Sequence, residues 1–271
     1  MTLGSGKTEE EERLGIQSVD IAAVILRALA DGGGLMQLRE LAAATGMPRG
    51  KVHRYLTSLT RSGLLKQDES TGAYGIGALS IALGLAGLRA LDPVRVALRA
   101  MPSFADMANE TIVASIWGDM GPTVIAIQES RRPITLNMRT GSILPLRRSA
   151  TGQVFEAFLP EKVIAAVLDL RLGVHGETAK RPVPLSQVRS HQMAFVEGGL
   201  ISGINAIAAP VFDHLGNLCL VMGMLGQEET LDVAWNGTAA KQLRQFANAI
   251  SEQLGHSPAS NATQVYIHVA D

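Results

Sequence analysis

Six side chains able to donate hydrogen bonds crowd one short stretch: Arg49, Lys51, His53, Arg54, Thr57 and Ser58. Behind Pro48, the residues Val52, Tyr55, Leu56 and Leu59 fall at helical spacing, which predicts a helix with one apolar face and those donors on the other. Guanidinium, ammonium, imidazole and hydroxyl groups set out in this way suit phosphate oxygens and the base edges of a major groove. The local charge points to the same chemistry. Between Met36 and Lys66 the bases are Arg39, Arg49, Lys51, Arg54, Arg61 and Lys66 against Glu40 alone, a local balance of +5 in a chain whose net charge is −1. The same pattern also fits an ordinary solvated helix, or a helical module that touches protein instead of nucleic acid.

Catalytic arrangements are not found in the sequence. Gly199-Leu200-Ile201-Ser202-Gly203 carries its serine one place too late for a nucleophile elbow. The histidines His53, His175, His191, His214, His256 and His268 lack the spacing of a metal helix, so no metal is expected. Gly72, Gly75 and Gly77 do not form a phosphate-cradling loop, and no cofactor is expected. Glu228-Glu229 precede a helix, where they read as first-turn charges and not as an acid and base. The single cysteine, Cys219, excludes an internal disulfide and reads as a buried strand residue. No enzyme is expected; a small-molecule-converting or purely ligand-binding protein with a protein-contacting helical module is the alternative.

The donors need elements to position them. Ser18 reads as the cap of a helix whose apolar positions are Val19, Ala22, Ala23, Leu26 and Leu29, stopped by Asp31-Gly32-Gly33-Gly34. A short helix from Leu38 to Thr45 follows, ended by Gly46, and Pro48 opens the basic helix that Gly63 closes. Leu64–Gln67 and Ala73–Ile76 then read as a hairpin. Two helices, a turn, a basic helix and a hairpin make a winged helix-turn-helix plan with the third helix placed for the major groove.

The rest of the chain reads as a second unit. With 271 residues, it exceeds the ~100–200 typical of one domain. Ala78 to Leu91 is apolar at helical spacing, with Leu79, Leu83, Leu85, Leu88 and Leu91 too apolar to stay in water, so burial against a partner chain or the next domain is expected. Asp92-Pro93 opens a helix towards Asn109. Strands are expected at Thr111–Trp117, Thr123–Gln128, Ile134–Met138, Ile204–Val211 and Leu218–Leu225. Helices are expected at Thr151–Phe158, Glu161–Leu170, after Pro184, and from Asp232 to Leu254. The fold class is therefore α+β, with a mainly antiparallel sheet in the second domain. The expected division is a flexible arm over 1–15, the winged helix-turn-helix domain over 16–77, a linking helix over 78–92, an effector domain over 93–254 and a polar tail over 255–271. In that tail Val265–Val269 reads either as an edge strand or as disorder.

Apolar residues form 46% of the chain and charged residues 18%, which excludes a disordered chain or coiled coil. The longest apolar stretches, Leu79 to Leu88 and Asn205 to Phe212, fall short of the ~20 residues of a membrane span. The acidic start, Glu9-Glu10-Glu11-Glu12, is unlike a secretory signal, and a cytoplasmic location is expected.

From Gln17 to about Leu254 the sequence resembles the IclR-type transcriptional regulators of bacteria. The resemblance is carried by Gln17-Ser18-Val19-Asp20, Leu41-Ala42 with Thr45-Gly46-Met47-Pro48, the run from Pro48 to Leu56, Ser62-Gly63-Leu64-Leu65, and Thr71-Gly72-Ala73-Tyr74. In the second domain it is carried by the run from Leu144 to Gly152 and by Ala208-Ala209-Pro210-Val211-Phe212-Asp213. It implies a dimer or tetramer that binds double-stranded operator DNA through its winged helices and a small organic effector through a GAF-like domain. The implied DNA contacts are Arg49, Gly50, Lys51, His53, Arg54 and Thr57, with Thr71 on the wing.

Against the family pattern, Ala73 replaces a basic wing residue, and Leu146-Arg147-Arg148 replaces Leu-His-Ala. Arg147 and Arg148 thus point either to an anionic effector or to loop solvation and a subunit contact. The family's polar pocket positions fall here near Glu197, Ala206, Gly223 and Leu225, mostly apolar, which suits an aromatic acid better than a two-carbon acid. Trp117 is either a pocket wall or core. Backbone groups near Ala150 and Thr151, at a helix start, can hold a carboxylate.

Overall fold

Apolar spacing along the chain builds two units, divided in the computed structural model at Ala90 and Leu91. The structure describes residues 15–131, 138–170, 183–198 and 201–257. The expected arm over 1–15 (all but its last residue), the greater part of the expected strand Ile134–Met138 and the tail segment Val265–Val269 lie outside those residues.

In the first unit, α1 (Gln17–Asp31), α2 (Leu38–Thr45) and α3 (Arg49–Arg61) close on one core of Ile25, Leu29, Leu41, Val52, Leu56 and Leu59. Helix α2 starts with a reciprocal cap, in which the Gln37 amide donates to Glu40 Oε2 at 2.9 Å, and ends on Gly46 at φ 66°. Three sequence expectations need correction. Of the apolar face expected on α1 only Leu29 is fully buried, Val19 and Ala23 are exposed, and Ile25 takes their place in the core. Ser18 does not cap α1: Ile16 occupies the cap position without a side-chain bond, and Ser18 is an exposed residue of the first turn. Pro48 precedes α3 as its cap residue instead of sitting inside the first turn.

The wing is β2 (Leu65–Gln67) and β3 (Tyr74–Ile76), joined by a third strand, β1 (Leu35–Met36), in the order β1-β3-β2. Strand β1 has two residues, too few to carry a period of its own, and exists because β3 supplies it with partners. Asp68 organises the tip: its Oδ1 accepts from the Ser70 hydroxyl at 2.6 Å, the Thr71 amide at 2.8 Å, the Thr71 hydroxyl at 2.9 Å and the Ser70 amide at 3.0 Å. Gln37 Nε2 donates to the Thr71 carbonyl at 2.9 Å and ties the tip to the start of α2.

Helix α4 (Ala78–Ala90) leaves the wing through a tight joint. The Gly77 amide donates to the Leu64 carbonyl at 2.9 Å, the Leu79 amide to Gly63 at 3.0 Å and the Ser80 hydroxyl to Leu64 at 2.7 Å. A β-carbon on Gly77 would lie 2.2 Å from the Gly63 carbonyl oxygen, so only glycine fits there. Beyond the joint α4 buries no residue within the chain, and Ile81 and Leu83 are 52% and 58% exposed.

The second unit is a five-stranded antiparallel sheet, in the order β5-β4-β8-β7-β6. Its strands are β4 (Thr111–Gly118), β5 (Gly121–Gln128), β6 (Ala194–Val196), β7 (Ile204–Phe212) and β8 (Leu218–Gln227). Alternation divides its faces. Ile112, Ala114, Ala209, Val211, Leu220, Met222 and Met224 pack against α5 (Pro93–Ala108) and α9 (Thr238–Gln253), where Phe104 and Phe246 stack at 3.9 Å. Ala208 and Val221 face α6 (Ala150–Phe158) and α8 (Leu185–His191); α7 (Glu161–Leu170) lies between these two in sequence.

Strand β6, with three residues, is a further element that the sequence did not announce. The last helix begins at Thr238 and not at Asp232, because the Asp232 carboxylate accepts the Ala234 amide at 2.9 Å and holds a turn ahead of it. Cys219 is half-buried instead of buried; desolvation, then the nearby Asp213 charge, pushes its thiol up to about 11, which leaves it an unreactive thiol at neutral pH.

The hydrogen bonds to Asp68, from the Ser70 hydroxyl first and then from Thr71, lower its pKa from 3.8 to about 2. Because the folded value is the depressed one, the contribution of these bonds is complete above 3.8 and is lost as the pH falls through about 2. A carbon-13 titration of the Asp68 carboxyl should have its midpoint near 2, and an ordinary midpoint of 3.8 would show that the wing-tip bonds do not form in solution.

Candidate nucleic-acid interface and effector cavity

Helix α3 buries Val52, Leu56 and Leu59 and turns Arg49, Gly50, His53, Arg54 and Thr57 outwards, with Lys51 half-exposed beside them. The apolar triad that seats the helix thereby aims the donors at solvent. Thr57 donates to the His53 carbonyl at 3.0 Å and Ser58 to the Arg54 carbonyl at 3.2 Å, which leaves both hydroxyl oxygens able to accept. Neither Lys51 nor Arg54 has an acidic partner among the described residues. Thr71 stands apart from this group, at the wing tip, with its hydroxyl donated to Asp68. Ala73, where the resemblance led to the expectation of a missing wing base, is buried at 5% exposure.

The second unit holds a cavity of about 420 Å³ on the α6 face of its sheet. Val113 of β4, Ala206 of β7 and Gly223 and Leu225 of β8 form its floor, and Met138 and the loop from Ser142 to Pro145 enclose it. Gly223 makes room: a β-carbon there would meet Thr151 Oγ1 at 3.6 Å, an ordinary contact, so a methyl group is missing and not forbidden. The first turn of α6 forms one wall with Ser149, Ala150 and Thr151. Ser149 caps this helix, its Oγ accepting the Gly152 amide at 2.9 Å and donating to the Pro145 carbonyl at 2.6 Å. Gly152 lets the loop press close, since a β-carbon would lie 2.2 Å from the Leu146 oxygen. The first-turn amides of Ala150 and Thr151 have no intrahelical carbonyl to bond, and this turn, at the positive end of the helix dipole, borders the cavity. Arg148 is the one charged side chain among the described lining residues.

The expected effector residues thus separate. Arg148, Ala150, Thr151, Ala206, Gly223 and Leu225 come together around the cavity. Arg147 does not join them: its Nε lies 3.3 Å from Oε1 of Glu156, itself buried at 4% exposure, and it borders a different hollow with Arg189. Trp117, half-buried, packs against the core residue Phe155 at 5.5 Å, and Glu197 is an exposed residue outside the lining. Sequence reasoning missed the enclosing loop and the wall residues Val113, Val196, Ile201 and Ile204; only the alternation along β4, which puts Val113 opposite Ile112 and Ala114, carried a signal for one of them. It also missed Gln153, fully buried on α6 with neither amide atom hydrogen-bonded among the described residues. Nothing in the structure explains that amide.

Among the described residues no group of three or more His, Cys, Asp or Glu side chains can hold a metal ion, and no helix is long and apolar enough to cross a membrane. Comparison with known proteins agrees with both halves of this geometry. Residues 18–69 match the model of the IclR helix-turn-helix domain, and residues 86–252 match that of the bacterial transcriptional regulator IclR C-terminal domain. The chain is 29% identical to the glycerol operon regulatory protein of Streptomyces griseus, over 89% of this chain and 97% of that protein. It is 25% identical to the transcriptional repressor IclR of Escherichia coli, over 73% of this chain and 76% of the relative. In structure it is similar to HmgR of Pseudomonas aeruginosa, with a TM-score of 0.82 and 35% identity over 90% of this chain and 100% of that one. Two family models in chain order, falling on a winged basic helix and on a sheet with a cavity, establish that the chain belongs to the IclR family of bacterial transcriptional regulators.

Proposed function

We propose that this DNA-binding regulator senses an organic acid of mainly apolar body, of the aromatic-acid kind, in the cavity of its second unit. The observation that carries the reading is the makeup of that cavity: apolar walls, with Arg148 and the first turn of α6 at one side. An apolar body gains from leaving water against Val113, Ala206 and Leu225. Its carboxylate finds at Arg148 a cation and at Ala150 and Thr151 two amides at the positive end of a helix. Helix α3 enters the major groove with Arg49, Gly50, Lys51, His53, Arg54 and Thr57, and Thr71 brings the wing to the backbone.

A second copy of the chain covers α4. Its apolar side chains Leu79, Ile81, Leu83, Leu85 and Leu88 are between 37% and 58% exposed, and a two-fold pair of recognition helices about one DNA turn apart reads a palindromic operator. The effector then acts by linkage, shifting operator affinity by its difference in binding free energy between two arrangements of the assembly. A change of ~100-fold needs a coupling of roughly 3 kcal/mol.

Three measurements test these assignments. In titrations against the DNA upstream of its own coding region and of neighbouring operons, Arg49→Ala and Arg54→Ala should each weaken operator binding by about 1–3 kcal/mol with folding intact. Equal affinity in both variants and the parent would remove α3 as the reading helix. By calorimetry with a panel of aromatic carboxylates, Arg148→Gln should weaken acid binding by about 1.5–3 kcal/mol and leave the matching neutral amides unaffected, while Gly223→Val should abolish both. No heat from any acid in the panel would exclude the effector class. In sedimentation velocity, Leu83→Glu should convert the assembly to monomer, and an unchanged oligomer would place the interface elsewhere.

A further inference from the structure

We propose that a groove formed by Ser18, Lys51, Arg54, Tyr55 and Ser58 seats a backbone phosphate of the DNA, so that one flank of α3 holds the duplex while the rest of its exposed face reads it. The inference rests on the reading that α3 contacts DNA, and adds residues and a division of labour which that reading lacks. The groove is a shallow hollow of about 380 Å³ within the first unit, where the start of α1 meets α3. Lys51, Tyr55 and Ser58 follow one another at intervals of four and three residues, so they line one side of α3, towards α1. Arg49, His53 and Thr57 fall on the opposite side of the exposed face, about 100° or more around the helix from Lys51.

Charge and hydrogen bonding fit a phosphate. Lys51 and Arg54 bring two positive charges to the hollow with no acidic partner among the described residues. Ser18 and Tyr55 bring two hydroxyl donors, and the Ser18 hydroxyl is not used to cap its own helix, while Ser58 borders the hollow with its hydroxyl donated to the Arg54 carbonyl. Asp20, the acid of the first turn of α1, lies two residues beyond Ser18 and so on the other side of that helix. Such a set recognises a phosphodiester without regard to base sequence.

The test compares operator and random DNA, at several salt concentrations, for the full-length protein and its Ser18→Asp, Lys51→Gln and Tyr55→Phe variants. Aspartate is favourable in the first turn of a helix, so Ser18→Asp should fold and place its charge against the phosphate. It should weaken binding to both DNAs several-fold and by the same factor, with Tyr55→Phe doing the same to a smaller degree. Lys51→Gln should also lower both affinities together and reduce the slope of log affinity against log salt by about 1. Loss at the operator alone would make these residues base readers, and unchanged affinity for both DNAs would show that the groove faces something other than DNA, such as an acidic protein surface; either result overturns the proposal. Failure of the underlying reading looks different, because then Arg49→Ala would also leave both affinities unchanged.

Discussion

Three hydrogen bonds and one glycine fix how α4 leaves the helix-turn-helix unit. The first turn of α4 is bonded to the carbonyls of Gly63 and Leu64, directly after the recognition helix, and Gly77 lets the two backbones approach to a distance that no β-carbon would allow. A joint of this kind has little freedom: the backbone groups are paired, the neighbouring Leu65 is buried, and the wing strands close around it. Any rotation of α4 therefore carries the end of α3 with it. Beyond the joint α4 buries no residue within the chain and presents Ile81, Leu83 and Leu85 as an exposed apolar surface.

The second unit meets a different constraint, that of opening a cavity in a sheet without losing its core. Strict alternation solves it. Most of the residues facing α5 and α9 are large and closely packed, whereas the opposite face carries Ala206 and Gly223 at the cavity floor, small enough to leave space beside α6. The helix end that faces this space is anchored twice, by the Ser149 cap and by the contact that Gly152 permits with the Leu146 carbonyl. Arg148, Ser149 and Thr151 thus stand together at one side of the cavity, and most of the remaining wall is apolar. The pairing of Arg147 with buried Glu156 belongs to the same economy: of two adjacent arginines, one holds α6 to its loop and the other borders the cavity.

Most of the fold was legible in the sequence because its elements are long enough to show a period. The basic helix, its buried triad, the Gly46 turn, the hairpins and the helix over Glu161–Leu170 follow from apolar spacing and from glycine and proline placement. Strands β1 and β6 were not legible, being two and three residues long and dependent on a neighbour for their bonds. Ser18 shows how a local rule can mislead: a serine before an apolar helix reads as a cap, but the chain had already turned helical at Gln17 and the hydroxyl was left exposed beside α3.

The candidate sites divide along the same line. A helix carries its own geometry, so Arg49, His53, Arg54 and Thr57 could be placed on one exposed face from spacing alone, and the local charge named the partner. The cavity is made by residues from four strands, a helix start and a loop, far apart in sequence, and no local period encodes which of them meet. Hence the sequence by itself determined that a basic recognition helix precedes an apolar link and an α+β domain. Only the tertiary structure decided that Arg148 borders the cavity while Arg147 pairs with Glu156, that Trp117 packs on Phe155 and not in the cavity wall, and that Ser18 joins Lys51 and Arg54, because contacts between distant segments are set by packing.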